Sequence, residues 1–68
     1  MTIKELFDAS ENVNHWTICY DGGKYPTDLF NTLVINAIGN YRVRAFYVKP
    51  HGNEMEMELS LATTIDIA

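Results

Sequence analysis

The clearest pattern of apolar and polar positions lies between Tyr41 and Leu61. Tyr41, Val43, Ala45 and Tyr47 fall on one side of an extended segment, and Arg42, Arg44, Phe46 and Val48 on the other, because strand side chains alternate with period two. β-Branched and aromatic residues dominate there, as a pleated surface favours. From Glu54 to Leu61 the alternation is cleaner. Met55, Met57, Leu59 and Leu61 share one face, and Glu54, Glu56, Glu58 and Ser60 the other. This is the pattern of a half-buried antiparallel strand. Lys49-Pro50-His51-Gly52-Asn53 separates the two segments. Proline cannot donate to a ladder and glycine supplies positive φ, so the stretch reads as a loop. A loop of that length pairs Val48 with Glu54, Phe46 with Glu56, Arg44 with Glu58 and Arg42 with Ser60. It sets the Met/Leu face against Tyr41, Val43, Ala45 and Tyr47, and Arg42 and Arg44 among the glutamates. A slip of one residue would reverse that matching.

Upstream, Thr2-Ile3-Lys4-Glu5 is a capping box, in which hydroxyl and carboxylate each satisfy an orphan N–H of the first turn. Ile3, Leu6 and Phe7 form the apolar stripe of a short helix over residues 3–10. After the polar break Glu11-Asn12-Val13-Asn14, His15–Tyr20 reads as a strand. Its Trp16, Ile18 and Tyr20 side carries the larger apolar groups and is the better core face, with His15, Thr17 and Cys19 opposite. Asp21-Gly22-Gly23-Lys24 is a turn by composition. It lacks the spacing of a phosphate-binding loop.

Thr27–Gly39 admits two readings. In one, Thr27 caps a helix with Leu29, Phe30, Leu33, Val34, Ala37 and Ile38 as its stripe and Gly39 after its end. In the other, a short strand ends near Phe30 and a helical turn leads into Tyr41; the β-branched Thr32, Val34 and Ile35 weaken a helix modestly. In Ala62–Ala68, Ile65 and Ile67 alternate with Thr64 and Asp66, and this tail extends the last strand, pairs elsewhere or frays. The fold class is α+β in a single domain over residues 1–68. A short N-terminal helix packs on a small antiparallel sheet of three or four strands that ends in a hairpin.

Composition narrows the function. Sixty-eight residues bury only about 60% of the unfolded surface, and Cys19 alone gives no disulfide framework. A metal or an oligomer is the usual reinforcement at this size. With five basic and nine acidic residues the net charge is −4, which argues against direct nucleic-acid binding. No charged-then-apolar leader and no membrane-length apolar run is present. One free cysteine fits a reducing compartment, so the expected location is the cytoplasm.

Candidate chemistry is sparse. His15, Cys19, Asp21 and His51 could contribute to a metal site, but His15 and Cys19 lie about 13 Å apart along a strand, too far to share one zinc. A nucleophilic Cys19 would need a base beside it. The carboxylates of Glu54, Glu56 and Glu58 recur about every 6.6 Å on one face, a glycosidase-like separation without a cleft to raise one pKa. The expectation is a protein that is not an enzyme and carries no cofactor.

MTIKELF, the glycine-rich turn, YRVRAFYV and NEMEMELSL together resemble the small α+β proteins of prophages and other mobile elements of Gram-positive bacteria. The resemblance covers most of the chain and implies a protein-binding factor directed at a host protein, as anti-CRISPR proteins are. It favours the strand-then-turn reading of the middle segment and implies no catalytic residue. The candidate binding face is Arg42, Arg44, Phe46, Glu54, Glu56 and Glu58, since arginine and aromatic residues concentrate at contact surfaces. The alternative is a self-associating module whose partner is a second copy.

Overall fold

The computed structural model of the chain describes residues 1–61. Its order is α1 (Ile3–Ala9), β1 (Val13–Tyr20), β2 (Gly23–Thr27), α2 (Thr32–Ile38), β3 (Val43–His51) and β4 (Glu54–Leu61). The capping box closes α1 as the sequence predicts: Glu5 N–H donates to Thr2 Oγ1, and Thr2 N–H donates to Glu5 Oε1 at 2.8 Å. Two further N–H groups of the first turn, on Ile3 and Lys4, donate to the Tyr41 and Gly39 carbonyls just beyond α2. The start of one helix is thereby tied to the end of the other, which satisfies orphan groups of both.

The α+β class, the N-terminal helix and the C-terminal hairpin are as expected. The sheet, however, is mixed rather than antiparallel. Its order is β2-β1-β4-β3, and the two central strands run parallel, with Trp16 beside Met57 and Ile18 beside Leu59. β1 turns into β2 through Asp21 and Gly22, both at positive φ. That is the sign pattern of a type I′ turn, whose twist matches the strands it joins. The short strand β2 carries Pro26, which an edge position tolerates.

The middle segment combines parts of both sequence readings. The strand ends at Thr27, and the helix begins at Thr32 under Asn31, whose side chain accepts from Leu33 N–H. Thr27 is therefore not the cap. The predicted stripe is also redrawn: Leu29 is fully buried before the helix starts, Leu33 is 80% exposed, and Val34, Ile35 and Ile38 face the core.

The core occupies one side of the sheet. Ile3, Leu6, Val13, Trp16, Ile18, Leu29, Met57, Leu59 and Leu61 form it. Phe7 leans on Trp16 at 5.4 Å between ring centroids, and Phe30 meets the edge of Phe7 at 5.2 Å. Such pairs add about 0.5–1.5 kcal/mol beyond area burial. No described helix is long and apolar enough to cross a membrane. The alternation read in Ala62–Ala68 lies outside the described residues.

The hairpin departs most from expectation. Its loop is Gly52-Asn53 alone, and β3 continues through Lys49, Pro50 and His51. The observed partners are His51 with Glu54, Lys49 with Glu56, Tyr47 with Glu58, Val48 with Met57 and Phe46 with Leu59. From Ala45 onward the register is shifted by an odd number of residues from the predicted one, so those β3 side chains change face, whereas Val43, ahead of the bulge, keeps the apolar side opposite Leu61. Pro50 stays in the ladder because β3 is an edge strand. A bulge between Val43 and Ala45 takes up one extra residue, Arg44.

Candidate functional site

The six residues chosen from sequence do not form one surface. Phe46 lies opposite Leu59 and so on the helix side of the sheet. Glu54, Glu56 and Glu58 lie on the other side, opposite His51, Lys49 and Tyr47. Arg42 and Arg44 are exposed at the start of β3, and among the described residues neither forms an ion pair. The predicted Arg–Glu ladder is replaced by one the sequence reading missed. Gly52-Asn53, a two-residue hairpin signal, would have revealed it. With that loop, lysine, histidine and tyrosine meet glutamate, and apolar meets apolar.

The ladder is tightly satisfied. Lys49 Nζ lies 2.7 Å from Glu58 Oε2, Lys24 Nζ reaches Glu58 Oε1 from β2 at 3.2 Å, and the Cys19 thiol donates to Oε1 at 3.5 Å. Oε2 has no well-directed hydrogen bond, but the ion pair with Lys49 compensates it. Glu56 accepts from Thr17 Oγ1 at 2.9 Å and meets His51 Nδ1 at 3.0 Å. Glu54 meets His15 Nε2 at 2.9 Å and accepts from the Asn14 amide. The His15 and His51 rings stack at 4.0 Å between centroids, joining the hairpin tip to β1.

Glu58 is only 4% exposed and Glu56 only 9%, which a solvated sheet face would not give. Neighbouring side chains lie over them, so they are shielded from water without being deep in the core. The Lys49 ammonium, with the Tyr47 hydroxyl and Lys24, holds the Glu58 carboxyl down at about 2. His51 and then Thr17 hold Glu56 below the ordinary range, and His15 and then Asn14 do so for Glu54. Burial, with Glu58 beside it, pushes the Cys19 thiol up. The thiol is therefore kept protonated and is a poor nucleophile at neutral pH. Among the described residues no three His, Cys, Asp or Glu side chains converge as a metal site requires.

The helix side of β3 is different. Phe46 and Val48 are 46% and 47% exposed, and Met55 beside them is also exposed. All three lie outside the core cluster. Arg42 and Arg44 precede this row at the strand's start, and Arg44 lines a cleft with Cys19, Lys24 and Ser60 on the other side of the sheet. Chemically the row offers apolar contact area, with no acid–base pair. Comparison with protein-family models, curated proteins and solved structures returns no match.

Proposed function

We propose that this chain is a non-catalytic factor that works by binding another protein through the β3 side of its sheet. The row Phe46, Val48 and Met55 carries the reading: it is apolar, exposed and on the face that the core occupies elsewhere. Aromatic residues, methionine and arginine are the types that concentrate at contact surfaces. Valine and phenylalanine on a strand lose little rotamer freedom when covered. The glutamate face supports the same choice, because its charges already have partners and a newcomer would have to displace them. The setting that fits is a mobile-element protein that inhibits a host protein in the host cytoplasm, in the manner of an anti-CRISPR or other anti-defence factor.

The test is host interference by the wild-type protein and a Phe46→Ala/Val48→Ser variant, with a pull-down from the same cells. The variant is expected to lose both interference and the retained partner while keeping its circular dichroism spectrum. A folded variant that inhibits at full strength would sink the proposal.

A further inference from the structure

The outer edge of β3 is already used as a docking edge at one end. Val43 N–H donates to the Met1 carbonyl at 2.8 Å, Ile3 N–H donates to the Tyr41 carbonyl at 3.0 Å, and Thr2 bridges Arg42 in antiparallel fashion. The first residues of the chain thus form a stub of a fifth strand. Beyond the bulge at Arg44, no described strand pairs with that edge. Pro50 fixes which backbone groups face outward. A proline stays in a ladder only where its missing N–H would point to solvent. Phe46 and Val48 are in phase with Pro50, so their N–H and C=O groups point away from β4.

We infer that the outer edge of β3 accepts an extended acidic segment of the partner protein as a fifth strand. The charge of the edge selects the segment. Arg42 and all of β3 contain no carboxylate, whereas Arg42, Arg44 and Lys49 are three of the chain's five Lys and Arg residues. Lys49 is occupied by Glu58, and Glu5, which feels Arg42, is held by the Thr2 cap. The two arginines are left to meet carboxylates on the added strand, and its apolar side chains lie beside Phe46 and Val48. This is strand addition, in which backbone bonds give affinity and alternate side chains give selectivity. A second copy fits poorly. Antiparallel pairing of β3 with itself sets the arginines of both chains on one ladder without a carboxylate from either strand, and the nearby Glu56 and Glu58 are already paired.

This inference rests on the protein-binding reading and sharpens it, and its test separates the two. The probe is a synthetic peptide of alternating valine and glutamate, titrated into labelled protein and followed by backbone amide shifts. Three results are expected: shifts centred on Ala45–Val48, affinity falling roughly tenfold with lysine in place of glutamate or with Arg42→Glu/Arg44→Glu, and lost binding on N-methylation of the peptide backbone. Equal affinity for the lysine peptide, or shifts confined to the glutamate face, overturns the edge while leaving a Phe46-dependent host interaction standing. A concentration-dependent dimer that shifts the same amides without peptide also overturns it, in favour of a second copy.

Discussion

On one face of β4, Met57, Leu59 and Leu61 sit in the apolar core; on the other, Glu56 and Glu58 are almost as well removed from water. The apolar side is held by area, which is tolerant of detail and roughly proportional to what is covered. The glutamate side is held by particular partners on three other strands, each set by register: Lys24 on β2, Thr17 on β1, and Lys49 and His51 on β3. A shielded carboxylate without its cation is far costlier than a missing methylene. One strand thus presents a forgiving face and an exacting one, and this separates the ways in which the protein can be weakened.

Leu59→Ala is expected to be the most damaging change, since the side chain is fully buried beside Trp16, Ile18 and the helices. Urea denaturation should show a loss of about 2–5 kcal/mol. A loss below that range would mean that the core is looser than the packing indicates.

Glu58→Gln should cost less and should reveal itself through pH. The folded state holds this carboxyl at about 2 against an ordinary 4.5, so the unfolded chain takes up the proton first as pH falls. Its contribution is fully present above about 4.5 and disappears as pH falls to about 2. Glu54 and Glu56, also lowered, act in the same direction. The stability gap between wild type and Glu58→Gln should be widest at neutral pH and close across that window. A gap independent of pH would remove the ladder from the account.

Gly52→Ala tests the register that both faces depend on. Gly52 sits at φ 63° in the two-residue loop, where a Cβ costs about 1–2 kcal/mol. A corresponding drop in denaturation midpoint with an unchanged amide spectrum of β4 is expected; a wholesale change in that spectrum would indicate that the turn alone selects the register. Smallest is Lys4→Ala. Its pair with Asp8 is more than half exposed at both ends, so the change should stay within about 0.5 kcal/mol. A larger effect would erase the distinction between covered and exposed charge.

The alternation in Glu54–Leu61, the capping box at Thr2 and the Trp16 face of β1 were legible because each depends on neighbours in sequence. Local geometry alone divides those side chains between faces. The binding face was not legible, because it required knowing which residue of β3 stands opposite which residue of β4. By composition Pro50 belongs to a loop, and its tolerance within a strand follows from β3 being an edge, a fact of strand order rather than of residues 49–53. Parallel pairing of β1 with β4 was equally hidden, since the two strands meet across about forty residues of chain. The sequence by itself determined the elements, their apolar sides and the glutamate row. Tertiary structure decided that the row is paired by Lys24, Lys49, His15 and His51, that Glu56 and Glu58 within it are shielded, and that Phe46 stands among apolar neighbours on the opposite face. The reason is physical: periodicity sorts side chains within a strand, but only register and strand order bring those of different strands together.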